Sequence, residues 1–320
     1  MLRFLLPLAC VLLLGAASLF VGVSSVTWGS LVGSEASDTA LEVLLASRVP
    51  RTVALMLAGA GMAVCGLIMQ MLARNKFVEP ATAGTAESAI LGILVITFFM
   101  PELPVIVRML VSAACALAGT ALFLAILRRI PLRSPLVVPL VGIMLGGVIG
   151  AVTAFFAYRY DLLQSLVGWT TGDFSGVIRG RYELLYLSFG LTVLAYIAAD
   201  RFTVAGMGED FTANLGLNYR RVVSLGLVIV SLVTAVVVVT CGMIPFLGLV
   251  VPNVISLLMG DNMRRSLPYV AGLGAGLVLA CDIVGRLVIH PFEIPIGTMM
   301  GIIGSVVFLY LLLRKNSHAA

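Results

Sequence analysis

The stretch VVSLGLVIVSLVTAVVVVT, residues 222–240, carries no charge and runs straight into Cys241-Gly242-Met243-Ile244-Pro245-Phe246-Leu247-Gly248-Leu249. At about 1.5 Å per residue the first part makes a helix of roughly 28 Å, close to the thickness of a bilayer's hydrocarbon core. In hydrocarbon the backbone must satisfy its own polar groups, so such a run is a helix despite its β-branched valines. Gly242 and Pro245 then interrupt it. The next apolar stretch, 246–259, is short for a span and is punctuated by Pro245 and Pro252, which predicts a broken helix rather than a clean crossing.

Outward from this pair the same pattern recurs along the chain. Further apolar stretches lie near 4–23, 53–72, 83–100, 105–127, 135–157, 183–199, 268–289 and 296–313. With the first two they predict about ten transmembrane helices in one all-α membrane domain covering residues 1–320. The composition agrees: 61% of the 320 residues are hydrophobic and 11% are charged, against about 25% charged in a soluble domain. No linker or charge run marks off a soluble part. The segment at 4–23 follows Arg3 and includes Ala16-Ala17-Ser18, as a secretory signal can. Its apolar run continues to Val23, which favours an uncleaved first span.

The positive-inside rule gives an orientation. With the N-terminus inside, thirteen of the 20 Lys and Arg residues fall on the inner side, among them Arg74, Lys76, Arg128, Arg129, Arg133, Arg201, Arg220, Arg221, Arg264, Arg265, Arg314 and Lys315. Arg48, Arg51, Arg108, Arg159, Arg179, Arg181 and Arg286 fall outside. Both termini are therefore expected in the cytoplasm of a multi-pass protein of the cytoplasmic membrane. The net charge of +5 is spread singly and in pairs between spans, so it is no argument for nucleic-acid binding; membrane lipid is the partner the spans imply. No Gly-x-x-x-x-Gly-Lys-[Ser/Thr] pattern occurs, so if the protein pumps, its energy comes from a partner or from an ion gradient.

Four clusters interrupt the apolar background. Arg48-Val49-Pro50-Arg51 lies before the second span, where Pro50 is expected to stop one helix and Arg51 to begin the next. Two arginines beside a rigid proline either reach headgroups or dock carboxylates of a partner. Gln70 to Thr82, with Arg74, Asn75, Lys76, Glu79 and Pro80, forms an inner loop more elaborate than topology requires. In Gly208-Glu209-Asp210-Phe211-Thr212-Ala213-Asn214-Leu215-Gly216 the acids suit a helix N-terminus, and Phe211 and Leu215 share a face. That segment reads as a short amphipathic helix, resting on lipid or docked into a partner. Finally Asp282 and Arg286 are four apart and can pair, with Arg286 near enough to the outer end to reach water.

Weaker features remain open. Glu87 is an isolated intramembrane acid, either a proton site or a hydrogen-bonding group. Gly142, Gly146 and Gly150 form a small-residue stripe suited to close packing. His290 and Glu293 lack a third ligand, so no metal site is expected. Cys10, Cys65, Cys115, Cys241 and Cys281 read as small hydrophobes. No cofactor and no catalytic residue is expected.

Taken in order, these clusters resemble the FecCD family, permeases of type II ABC importers for iron–siderophores, haem and cobalamin. The family's Arg-Leu-Pro-Arg is matched by Arg48-Val49-Pro50-Arg51. Its Gln…Arg-Asn-Pro-Leu-Ala-x-Pro is matched by Gln70…Arg74-Asn75-Lys76-Phe77-Val78-Glu79-Pro80. Its Gly-Glu-x-Ala-x-x-Leu-Gly corresponds to Gly208-Glu209…Leu215-Gly216, and its Gly-x-Ile-x-Phe-x-Gly-Leu to Gly242–Leu249. The closing pattern falls on Asp282, Arg286, Glu293, Pro295 and Gly297. Three departures stand out: Lys76 replaces a proline, Phe211-Thr212 replaces small residues, and Pro252-Asn253-Val254-Ile255-Ser256 replaces Pro-His-x-x-Arg. They look like the branch serving catecholate siderophores.

The resemblance implies a ferric-siderophore permease working as a homodimer or with a close paralogue, its path lined in part by the fifth and tenth spans. Cytoplasmic ATP-binding subunits would dock on Gly208, Glu209, Asp210, Phe211, Leu215 and Gly216. A periplasmic or lipid-anchored binding protein would dock on Arg48, Arg51 and Arg286. A haem or cobalamin permease is the alternative within the class. A proton-coupled transporter using Glu87 and the Asp282–Arg286 pair is the alternative outside it.

Overall fold

The computed structural model describes residues 2–22, 38–130 and 137–316. Arg133, the first two residues of the fifth expected span and Val23 lie outside them. Each of the ten expected segments contains a helix. In chain order these are α1 (Leu2–Phe20), α2 (Asp38–Val43), α3 (Val49–Leu72), α4 (Thr85–Phe99), α5 (Val105–Leu127), α6 (Val137–Arg159), α7 (Leu163–Thr171), α8 (Leu185–Ile197), α9 (Ala199–Gly206), α10 (Glu209–Asn214), α11 (Tyr219–Cys241), α12 (Leu247–Met259), α13 (Met263–Val288) and α14 (Ile296–Asn316).

Five helices, 41–72, α5, α6, α11 and α13, are each long and apolar enough to cross a membrane alone. The pair α8 and α9 meets the same test but bends by 64° at its junction. The others are shorter. α12 has 13 residues, about 20 Å of rise, so it begins part-way through the bundle as the prolines around it suggest. Its start is a sharp turn in which Phe246 has φ +62°.

One local expectation is overturned. Pro50 does not stop a helix, because α2 continues through a π-helical turn at Leu44–Arg48 into α3, with Pro50 in its first turn. The wider π register lets the Val49 N–H reach the Leu44 carbonyl. Proline's missing donor is tolerated in the first turn that follows.

The bundle is organised around α3, most of which is buried. Without water as a driving force, membrane helices associate through close backbone approach at small residues. A Cβ at Gly59 would stand 2.7 Å from the Gly274 carbonyl of α13, and a Cβ at Gly66 1.9 Å from the Gly248 carbonyl of α12. These crossings make α13 and α12 the two main neighbours of α3. α6 is the opposite case. Leu140, Ile143, Met144, Val148 and Phe155 are more than half exposed, a face for lipid or a second subunit. Of its glycine stripe, Gly142 packs on the Thr82 carbonyl and Gly146 on Glu87, whereas Gly150 faces open space.

Candidate functional site

Chemistry-bearing residues gather at the two ends of the bundle. At one end, α1, α3, α13 and the 289–295 turn converge on an ion network. Arg51 donates to Asp282 Oδ1 from Nη2 at 2.7 Å and to Glu293 Oε2 from Nη1 at 2.7 Å. Arg286, one turn beyond Asp282, pairs with its other oxygen and donates to Ser18 Oγ at 2.7 Å. Arg48 donates to the Leu19 carbonyl at 2.8 Å. Asp282 is thus shared by two guanidiniums inside the protein, where charge-assisted bonds are strong and an unpaired charge is costly.

The three arginines expected at an outer docking surface therefore do meet, but as an internal frame. Arg48 and Arg286 are each only 6% exposed. The reach of Arg286 to water is corrected: its side chain turns inward, because Asp282 and the Ser18 hydroxyl lie there. Glu293 is engaged by Arg51. Among the described residues no three His, Cys, Asp or Glu side chains gather as a metal site would need.

At the other end stand α9, α10 and the turn between α12 and α13. The six residues of α10 begin after Gly208, whose φ of +120° suits glycine, and end before Gly216 at φ +76°. Thr212 is buried and bonds back to the Gly208 carbonyl at 2.6 Å. Phe211 and Leu215 point outward, 48% and 57% exposed, beside Met207 at 58%. Glu209 and Asp210 are exposed in the first turn. The two apolar side chains of α10's end thus leave about half of their surface uncovered by this chain.

At this same end lies the 73–84 loop, to none of whose residues the sequence assigned a functional role. Arg74 takes φ +48°, an unusual backbone for a non-glycine residue, and its Nη1 is 3.1 Å from where a Gly208 Cβ would stand. Lys76 Nζ donates to Ser256 Oγ at 2.9 Å and to Asp261 Oδ1 at 2.9 Å. The Lys76 carbonyl accepts from Asn253 Nδ2 at 2.7 Å. Burial alone would raise the Asp261 carboxyl, but the bonds from Ser256 and Lys76 and the lysine charge outweigh it and hold it below the usual carboxylate range. The contact is thus formed at neutral pH and is lost only as pH falls through that lowered value.

The departures at 76, 253 and 256 meet in this one cluster. Further along the loop, the buried Glu79 accepts from the Phe246 N–H at 2.8 Å, capping the start of α12. A carboxylate suits that place because the first amides of a helix lack partners and carry partial positive charge. A cavity of about 250 Å³ separates the loop from α9, lined by Arg74, Lys76, Thr203, Met207 and Asp261 among others. Glu87 lies against Gly146, and its Oε2 has no hydrogen-bond partner among the described residues.

Known proteins resemble this chain over nearly its full length. The FecCD transport family matches residues 10–314. The petrobactin import system permease protein YclN of Bacillus subtilis is 49% identical over 99% of this chain and 99% of its own. The ferric-anguibactin transport system permease protein FatD of Vibrio anguillarum is 43% identical over 93% and 95%. In three dimensions, an inward-facing conformation of a metal-chelate type ABC transporter superposes with TM-score 0.81 over 98% of this chain and 99% of that one, at 22% identity. Shared fold, motifs in register and full-length identity have one reading: the chain belongs to the FecCD transport family.

Proposed function

We propose that this chain is the membrane-spanning permease subunit of an ATP-driven importer of ferric siderophores, of the catecholate type suggested by its sequence. The observation that carries the reading is the 49% identity, end to end, with a petrobactin import permease. The chain itself performs no covalent chemistry. Its work is to favour two conformations in turn, as partners bind and release. In the proposed orientation both termini and α10 are cytoplasmic, and the Arg51–Asp282 network faces outward.

ATP-binding subunits would press on the apolar face of α10. Phe211→Glu should then leave the permease folded but lower the amount of ATPase recovered with it; undiminished recovery would remove α10 from that interface. A binding protein would dock at the corner framed by Arg48, Arg51 and Arg286. That reading rests on the family resemblance and extends to the corner as a whole, since Arg51 and Arg286 are themselves held by Asp282 and Glu293. A second copy or a paralogue would cover the exposed face of α6.

The deciding experiment supplies radioiron as ferric petrobactin to cells lacking this gene. The gene is then restored with and without its ATPase. Uptake that requires both is expected. Uptake with this chain alone, collapsing with the proton gradient, would overturn the ATP-driven reading in favour of a secondary transporter. Uptake of haem or cobalamin instead would overturn the cargo.

A further inference from the structure

The 73–84 loop touches α12, α6, α14 and the start of α10. At α10's edge, Arg74 lies against Gly208. Lys76 grips the far end of α12 through Asn253, Ser256 and the Asp261 turn. Glu79 caps the near end of α12 at Phe246. The two grips fall on opposite ends of one short helix, so α12 cannot shift without the loop.

The loop also reaches the two helices implied to line the path. Phe77 stacks edge-on to Phe308 of α14, centroids 5.8 Å apart. The Thr82 carbonyl meets Gly142 of α6, where a Cβ would stand only 1.9 Å away. α12 adds a second route to α14, since a Cβ at Gly304 would stand 2.3 Å from the Phe246 Cβ. Packed contacts of this kind transmit displacement because they leave no slack to absorb it.

We infer that Lys76 and Glu79 are positioning residues for transport, coupling the α10 surface through the 73–84 loop and α12 to α6 and α14. The inference rests on the permease reading above. A merely stabilising role is a poor account of Lys76. Its side chain is 51% exposed and that of Asp261 56%, and exposed pairs contribute little to folding. The value of this pair lies in where it ties the loop. Glu79 acts at the other grip, where its carboxylate replaces the α12 amides' missing partners.

The test exchanges the charges of the exposed pair in the assembled complex, reading ferric petrobactin taken up per ATP hydrolysed. Lys76→Asp and Asp261→Lys should each lower that ratio about fivefold or more, within the usual range of coupling free energies. ATPase recovery and melting temperature should stay near wild type. Lys76→Asp combined with Asp261→Lys should restore the ratio. Single variants with an unchanged ratio would overturn the inference, as would a double variant no better than the worse single. A loss explained by ATPase falling off would make Lys76 a docking residue and overturn it equally. At the second grip, Glu79→Gln keeps an acceptor for the Phe246 N–H and should retain more of the ratio than Glu79→Ala; equal losses would remove Glu79 from the link. Should wild type carry no ferric petrobactin, the cargo reading fails. The same series is then decided by the complex's ATP hydrolysis, where a recovered double exchange supports the link and an unrecovered one sinks it.

Discussion

Asp282→Ala should cost the protein its fold or most of it. Two guanidiniums, Arg51 and Arg286, close on this one carboxylate, whose side chain is fully buried. Removing it leaves Arg286 with no carboxylate and Arg51 with Glu293 alone, in a largely buried site. Breaking a buried pair by deleting one partner costs about 3–5 kcal/mol, a large share of the total stability of a typical domain. The measurement is thermal unfolding in detergent, together with the yield of monodisperse protein. Asp282→Ala combined with Arg286→Met should recover part of the loss, because one stranded charge is then gone. A single variant that melts with wild type would show that the network holds nothing together.

Gly66→Val is the second large effect, and it acts by volume rather than charge. A Cβ there would stand 1.9 Å from the Gly248 carbonyl oxygen and 2.3 Å from the Gly248 Cα. Both obstacles are backbone, so no side chain can rotate away. α3 and α12 must separate, and the Glu79 cap at Phe246 lies beside that contact. Overpacking of this kind costs about 1–3 kcal/mol and occasionally more. Uptake should fall to background while some protein still reaches the membrane. Gly190→Ala on α8 is the matched control, since nothing lies within 4 Å of its Cβ position and α8 belongs to none of the proposed interfaces, and it should transport normally. Equal activity of the two variants would refute the close crossing.

Hydropathy read the bundle well for a physical reason. Every span must be apolar over a fixed length, so α5 begins and ends at the residues its hydrophobic run predicts, 105 and 127. The pairing of Asp282 with Arg286 was legible too, since a helix places residues four apart on one face. What stayed hidden depends on separation along the chain. Lys76 and Asp261 are 185 residues apart, and no local pattern announces that one loop returns to meet the other. The departures at 76, 253 and 256 were visible singly, but only the fold shows them in one cluster. Pro50 misled because a breaker rule assumes α-helical register, and the turn at Leu44–Arg48 is π-helical.

The distance between Arg51 and its counterion has a further consequence for how the protein is made. Asp282 follows Arg51 by 231 residues. At about 5–20 residues per second, a ribosome needs roughly 10–50 s to supply it. Throughout that interval α3 sits in lipid with Arg48 and Arg51 uncompensated, and in the proposed orientation they lie at the outer rim, where their long side chains can reach headgroups and water. Final assembly therefore waits for α13, and the early helices must persist as separate inserted elements until it arrives.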